Sequence, residues 1–177
     1  MGDAEVDAAN WTFYFDDFTT PAAPEVVIVP GPTVVNDFEA SPETYTFGDF
    51  NGGVAMVIAN PDATGINTSA QVGQMQKFAG ETWGGSTLTF ATPVAIPANS
   101  MVTMKVWSSR VVPVLVKFDD VNAERTVNHT GSGWEELSFD FTGATSTSET
   151  RLTLIFDNGV MGDAEVDAAN WTFYFDD

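Results

Sequence analysis

Residues 101–118 read MVTMKVWSSRVVPVLVKF, two mostly apolar runs separated by the polar stretch SSR. In the first run the even-numbered residues are apolar, and Lys105 lies between two of them. Because successive side chains of a β-strand point to opposite faces, this alternation predicts a strand at 101–107 with one buried face. The second run predicts another strand at 112–118, in which the even-numbered residues from Val114 onward share a face.

The rest of the chain continues this pattern of short strands separated by turns. Turn-forming residues cluster roughly every ten residues from Val34 onward, as in GDFNGG at 48–53, and no segment shows the 3.6-residue period of a helix. So many short strands favour an all-β fold, a jelly-roll β-sandwich of two antiparallel sheets. The predicted strands are 44–47, 54–59, 70–78, 86–90, 101–107, 112–118, 124–128, 134–141, 151–156 and 170–176.

The first and last seventeen residues of the chain are identical. Residues 1–17 and 161–177 both read MGDAEVDAANWTFYFDD, which gives a repeat period of 160 residues, the size of a domain. Either the chain comes from a tandem array of neighbouring identical modules, or the duplication was engineered. We expect residues 1–17 to be the C-terminal strand of a preceding module, residues 18–33 a Pro-rich linker, and residues 34–177 one whole jelly-roll module.

Two copies of one closing strand would compete for a single place in that module. The copy left over would expose its Trp and Phe side chains along an open strand edge, which promotes pairing. We therefore expect residues 1–17 to insert into a neighbouring molecule, which gives a strand-swapped homo-oligomer, or to pack on the module's own surface.

The chain is strongly acidic. Its formal net charge is −19, and removing one copy of the repeat, which carries five acids and no base, leaves −14. Nucleic acids and anionic membrane surfaces both need a basic face, so we predict neither as a partner. Oxygen-rich surfaces suit calcium. The alternative is that the charge serves solubility alone.

The sequence offers few groups for catalysis. It has no cysteine, and its one histidine, His129, lies in a predicted turn where we expect it to be solvated. Adjacent carboxylates such as Asp119 and Asp120 point to opposite faces of a strand, so they do not form an acid–base pair. We predict that the protein is not an enzyme.

Several short motifs, taken in order, resemble one family of β-sandwich modules. They are NDFE at 36–39, NP at 60–61, GINTS at 65–69, WGG at 83–85, KVWS at 105–108, VLVK at 114–117, WEELSFD at 134–140 and FYFDD at 173–177. The order resembles the galactose-binding-like jelly rolls of secreted marine bacterial glycoside hydrolases and adhesins, and it looks like a distant relative of the family-4 and family-22 carbohydrate-binding modules. The resemblance spans most of residues 34–177 and implies a bacterial protein that is secreted or at the cell surface.

The resemblance also implies a structural calcium ion where the first strand meets the last. Carried over to this chain, it assigns Glu39 and Asp176 as ligands, with Asp37 and Asp177 as weaker candidates. Calcium takes six to eight oxygen ligands, so a carboxylate from each end would clamp the two ends of the module together.

The implied function is binding of a polysaccharide by a non-catalytic module of a secreted multimodular protein. Sugars dock on aromatic faces beside polar side chains. We predict Trp107, Trp83, Lys105 and Lys117 as the carbohydrate-binding residues, although each tryptophan could instead pack in the core or at its rim. We expect Trp107 and the two lysines to share a sheet face, and Lys77, also in a predicted strand, to contribute to a polar groove. The alternative is a calcium-stabilised structural extender repeat of a large bacterial adhesin, with no glycan ligand.

Overall fold

The computed structural model describes residues 36–163 and 171–177. Residues 1–35 and 164–170 lie outside the described residues, and with them the predicted preceding strand and linker. A turn of 3₁₀-helix, Pro42–Thr44, precedes ten strands. The strands are β1 (Thr46–Phe50), β2 (Gly53–Ala59), β3 (Gln71–Lys77), β4 (Gly85–Ile96), β5 (Met101–Ser108), β6 (Val112–Phe118), β7 (Ala123–His129), β8 (Gly133–Asp140), β9 (Ser146–Phe156) and β10 (Thr172–Asp176). Among the described residues, no helix has the length and apolar character needed to cross a membrane.

The strands form two five-stranded sheets packed face to face. Sheet A has the order β1-β4-β9-β6-β7, and sheet B has the order β2-β3-β10-β5-β8. Neighbouring strands are antiparallel in both sheets. The predicted all-β jelly-roll sandwich is therefore confirmed.

The core lies between the two sheets and is rich in phenylalanine. The rings of Phe156 in sheet A and Phe173 in sheet B stack with centroids 5.2 Å apart. Met104 and Val106 of β5 face this core, as the alternation predicted, and so does Phe139 of β8. Burying one such apolar side chain contributes about 1.5–3 kcal/mol, so these contacts hold the two sheets together.

Strand β10 closes sheet B at its centre. It pairs with β3 on one side and with β5 on the other, and Phe173 and Phe175 are each 1% exposed. The ring of Phe175 lies over Gly73 of β3, where a Cβ atom would come within 2.4 Å of the ring. Only glycine leaves room for the ring at this position, so β3 and β10 are matched in shape.

The beginning of the described module lies against its closing strand. Phe38 packs edge-on against Phe175, with ring centroids 5.3 Å apart. The Glu39 carboxylate accepts a 3.1 Å hydrogen bond from the backbone N–H of Gln71, the first residue of β3. Residues 36–40 and the end of β10 therefore lie at the same end of sheet B.

Three strand boundaries differ from the predicted ones by three residues or more: the end of β1, the end of β4 and the start of β9. β1 lies later than predicted, because the turn that follows it is confined to Asn51 and Gly52, which both have positive φ. β4 ends later and β9 begins earlier than predicted, because the two strands resume pairing at Val94 and Glu149 after a register shift. Such irregular pairing interrupts the alternation on which the prediction depends.

Candidate functional site

The outer face of sheet B carries a row of side chains that crosses all five strands. Cross-strand pairing places Met56 of β2 beside Gln74 of β3, Gln74 beside Tyr174 of β10, Tyr174 beside Trp107 of β5, and Trp107 beside Trp134 of β8. Along their strands these residues alternate with core-facing ones, so they point away from the core. We call Tyr174, Trp107 and Trp134 the aromatic row.

The aromatic row offers partly open rings on a rigid support. The rings of Trp107 and Tyr174 lie with centroids 5.2 Å apart and an interplanar angle of 52°. All three side chains of the row are half-buried, so the protein supports each ring while part of its surface stays open to solvent. Aromatic side chains held in this way provide apolar contact area with little conformational entropy to lose on binding.

The loop at 60–70, between β2 and β3, fixes the orientation of both tryptophans. The indole N–H of Trp107 donates a 3.0 Å hydrogen bond to Oδ2 of Asp62, and that of Trp134 donates a 2.7 Å bond to the Asp62 carbonyl oxygen. A 2.9 Å bond from the N–H of Asn60 to the carbonyl of Ala70 closes the loop at its base. The loop therefore borders the aromatic row and holds its two indole rings in place.

Polar side chains flank the aromatic row. Gln74 and Gln76 of β3 are half-buried on the same face, and Nε2 of Gln76 donates a 3.3 Å hydrogen bond to Oγ1 of Thr172. On the other side, Lys105 of β5 forms an ion pair with Asp177. A glutamine amide both donates and accepts hydrogen bonds, as a sugar hydroxyl does. The face can therefore combine stacking on rings with hydrogen bonding to hydroxyls.

The four predicted carbohydrate-binding residues do not lie together. Trp107 and Lys105 share the outer face of sheet B, whereas Lys117 lies in β6 and points outward from sheet A. The expectation of one shared face is therefore wrong for Lys117. Trp83 lies in the loop before β4, is 49% exposed and stacks on Phe50 of β1 with centroids 6.0 Å apart. It belongs to the sheet A side of the module.

Sequence reasoning did not include Tyr174, Trp134, Gln74 or Asp62 among the binding residues. Alternation puts Tyr174 on the side opposite to the core-facing phenylalanines of its strand, and it gives the same result for Trp134 and Gln74. Their proximity to Trp107 depends on the order β3-β10-β5-β8, which no local pattern encodes. Nothing in the sequence around Asp62 indicates that it bonds two tryptophans.

Lys77 lies inside the sandwich, so its predicted place in a polar groove is wrong. It shares the core face of β3 with Met75 and is 2% exposed. Its Nζ donates hydrogen bonds to the carbonyl oxygens of Thr82, Phe156 and Asp157, at 2.9, 3.0 and 2.8 Å. Burial lowers the pKa of Lys77 to about 8, although the nearby Asp157 carboxylate opposes the shift.

His129 is fully buried, so the expectation of a solvated loop residue is wrong. Strand β7 continues to His129, and the ring points inward. Nε2 lies 3.1 Å from the carbonyl oxygen of Val106 and 2.8 Å from that of Gly133, and Nδ1 accepts a 2.9 Å bond from the N–H of Gly131. Both ring nitrogens are thus already bonded within the fold.

The four predicted calcium ligands are found at one end of sheet B. Asp176 lies at the end of β10, and Glu39 is bonded to the start of the neighbouring β3. Asp37 accepts a 3.1 Å hydrogen bond from the N–H of Glu39, and Asp177 is paired with Lys105. Nowhere in residues 36–163 and 171–177 do three acidic or histidine side chains gather closely enough to hold a metal ion by themselves.

Asp176 is the member of this set that best fits a cation. It is 1% exposed, and its Oδ2 is buried without a hydrogen-bond partner among the described residues. Burial raises the pKa of Asp176, and the neighbouring Asp177 adds to the shift, while the side chains of Ser69 and Asn67 oppose it. A buried carboxylate oxygen without a donor is costly unless a proton or a cation binds it.

Comparison with known proteins finds similarity only among solved structures. No protein-family model matches the sequence, and no curated protein matches it either. A variant of CBM29-2, a family 29 carbohydrate-binding module, complexed with mannohexaose is 12% identical, with 82% of this chain and 86% of that chain covered and a TM-score of 0.47. The CBM22-2 xylan-binding domain of Paenibacillus barcinonensis Xyn10C is 16% identical, with 80% and 94% covered and a TM-score of 0.45. The similarity is one of fold.

Proposed function

We propose that this protein is a non-catalytic carbohydrate-binding module whose ligand, a polysaccharide, lies along the aromatic row. The observation that carries the proposal is the contact between the half-buried rings of Tyr174 and Trp107, with Gln74 beside them. The rings offer apolar surface to the C–H groups of successive sugars, and the amide offers hydrogen bonds to their hydroxyls. The aromatic row crosses three neighbouring strands, which suits an extended chain of sugars better than a single one.

The electrostatics of this face also suit a neutral sugar. Lys105 is paired with Asp177, and Glu136 lies beside Lys105 on the neighbouring strand. Two acidic groups therefore flank Lys105, so this part of the face has no basic patch that would select an anionic ligand. Binding would depend on ring contact and hydrogen bonds more than on ionic strength.

We further propose that calcium stabilises the end of sheet B, with Asp176 and Glu39 among its ligands. The buried Oδ2 of Asp176 is the best-suited oxygen, because it has no donor among the described residues. Asp177 is less well suited, since it pairs with Lys105, and Glu39 and Asp37 each already accept one backbone N–H. Backbone carbonyls and water would complete the six to eight oxygens that calcium takes.

A binding experiment with three single variants tests the proposed site. Trp107→Ala and Tyr174→Ala each remove a ring of the aromatic row, and we expect roughly tenfold or greater loss of affinity for the polysaccharide that binds. Trp83→Ala is the matched control, because it removes an exposed ring from the sheet A side. Xylan and mannan are the first probes, assayed by affinity electrophoresis, with thermal melting to confirm folding.

The result for Trp83→Ala decides where the ligand binds. If this variant loses binding while Trp107→Ala and Tyr174→Ala retain it, the ligand lies on the Phe50–Trp83 pair and the proposed site is wrong. Equal retention by all three variants would also contradict the proposal, because it would place the ligand away from every one of these rings.

The competing function is that of a calcium-stabilised extender repeat of an adhesin. It is favoured by the identity of residues 1–17 and 161–177, because copies that only add length need no individual ligand preference. A melting temperature that rises with calcium, together with no binding to any glycan on an array, would support this function over the first.

A further inference from the structure

We propose that loop 60–70 couples the Asp176 carboxylate to the aromatic row, so that a calcium ion bound at Asp176 strengthens polysaccharide binding. The inference rests on the proposed function, because it concerns the regulation of that same site. Asp176 and the rings lie on one face of sheet B, and a single loop contacts both.

Asp176 lies on the outer face of sheet B, next to the aromatic row. Asp176 and Tyr174 are two positions apart in β10, so their side chains share a face, and Val72 of β3 has the same relation to Gln74. Although this face points away from the core, Val72 is 0% exposed and Asp176 is 1% exposed. A segment outside the sheet therefore covers this part of the face, and loop 60–70 is the segment that reaches Asp176.

The loop reaches Asp176 with two side chains. Burial raises the pKa of Asp176, whereas the side chains of Ser69 and Asn67 lower it. Asn67 is itself fully buried, and neither its Nδ2 nor Oδ2 of Asp176 completes a hydrogen bond among the described residues. The closed loop thus covers a carboxylate that the protein alone does not fully compensate.

Hydrogen bonds run through the loop from this end to the rings. The backbone N–H of Asn67 donates a 3.2 Å bond to the carbonyl oxygen of Thr64, and the N–H of Thr64 donates a 2.8 Å bond to that of Asp62. The Thr64 hydroxyl donates a 2.6 Å bond to Oδ1 of Asp62, whose Oδ2 accepts the indole N–H of Trp107. A displacement of Asn67 is therefore transmitted to Asp62 through contiguous bonds.

The sign of the coupling follows from the charge of Asp176. Without a cation, the closed loop holds an ionised carboxylate away from water, which favours loop conformations that admit water. Neutralising Oδ2 removes this cost and favours the closed loop, in which both indoles are fixed. A ligand that prefers one of two conformations shifts the population toward it, and the coupling between two ligands is reciprocal. Saturating calcium should therefore raise the affinity for polysaccharide roughly fivefold or more.

Two measurements on the full chain test the coupling. The first is titration calorimetry with xylan and mannan oligosaccharides, in EDTA and in millimolar calcium. The second uses no sugar and follows the indole N–H signals of the tryptophans by nuclear magnetic resonance. Calcium should shift the signals of Trp107 and Trp134, and that of Trp83, on the sheet A side, should stay in place as the internal control.

Two variants locate the cation and the connection. Asp176→Asn removes the charge but keeps the shape, so it should lose the calcium response of both the affinity and the indole signals. Asp62→Ala cuts the side-chain bond to Trp107. Its melting temperature should still rise with calcium, but its Trp107 signal should respond far less than that of the parent.

The outcomes distinguish this inference from the proposed function. Equal glycan affinity in both buffers overturns the inference and leaves the proposed function intact. A parent whose melting temperature ignores calcium overturns it, and so do indole signals that stay in place when calcium binds or a calcium response that survives in Asp176→Asn. If neither glycan binds while the signals of Trp107 and Trp134 shift, the proposed function fails and the coupling of the loop to the rings is supported.

Discussion

The indole N–H of Trp107 donates a 3.0 Å hydrogen bond to Oδ2 of Asp62, so the loop between β2 and β3 holds a ring that belongs to β5. Asp62→Ala removes this acceptor and leaves the ring free to change rotamer. Ordering such a side chain on binding costs about 1 kcal/mol, or roughly a fivefold loss of affinity for the bound polysaccharide. Titration calorimetry measures the loss, and Asp62→Asn, which keeps an acceptor oxygen, should bind nearly as the parent does. Equal weakening by both variants would contradict a role for the hydrogen bond.

The buried carboxyl of Asp176 gives opposite expectations with and without calcium. Burial raises its pKa above that of the unfolded chain. Ionisation of this carboxyl therefore lowers the free energy of unfolding. Without metal at neutral pH, Asp176→Asn should therefore melt at a higher temperature than the parent. With calcium, the parent should gain stability and the variant should not. Scanning calorimetry in EDTA and in millimolar calcium tests this, and equal calcium responses would exclude Asp176 as a ligand.

Lys77 should make the stability of the fold depend on alkaline pH. Its pKa falls from 10.5 to about 8 on folding, so between these values the unfolded chain holds a proton that the folded chain has released. The contribution of Lys77 to the free energy of unfolding therefore rises as the pH increases from 8 to 10.5. Below pH 8 the cost of burying the charged ammonium group is fully present. Urea denaturation of the parent should show this rise.

Substitution of Lys77 isolates the effect. Lys77→Met leaves three buried carbonyl groups without their donor, and we expect a loss of at least about 2 kcal/mol at pH 7. The gap between parent and variant should widen as the pH rises. Lys117→Met removes one positive charge from the outer face of sheet A and serves as the control. Parallel pH profiles for the parent and Lys77→Met would contradict the assignment.

The space beside Gly73, which the ring of Phe175 fills, should tolerate no side chain. A Cβ atom there would lie 2.4 Å from the ring of Phe175, so Gly73→Ala should destabilise the fold by about 1–3 kcal/mol through overpacking. Gly48→Ala in the edge strand β1 is the control, because its Cβ would meet only a carbonyl oxygen at 3.8 Å. Adding Phe175→Leu to Gly73→Ala should recover part of the loss, as seen in denaturation midpoints. Failure of this recovery would place the strain elsewhere.

The features that follow from alternation were predictable from the sequence. The ten strands and the inward faces of β5 and β8 are confirmed, because a period of two reports which side of a strand is buried whatever sheet it joins. The same rule correctly predicts that Trp107 and Lys105 point outward. The fold class follows from the number of short strands alone.

The features that depend on long-range pairing were not predictable. Lys117 faces outward as its strand pattern indicates, but β6 joins sheet A, and no local signal decides between two sheets. His129 and Lys77 are polar residues that sequence reasoning places at the surface or in a groove. The structure buries both because backbone carbonyls from distant segments, such as Val106 for the histidine and Phe156 for the lysine, accept their hydrogen bonds.

The contact between Phe38 and Phe175 couples the beginning of the described module to its closing strand. Because each of these buried rings covers the other, opening either segment would expose the partner ring to water. The backbone amides of the two segments should therefore lose their protection from hydrogen exchange together.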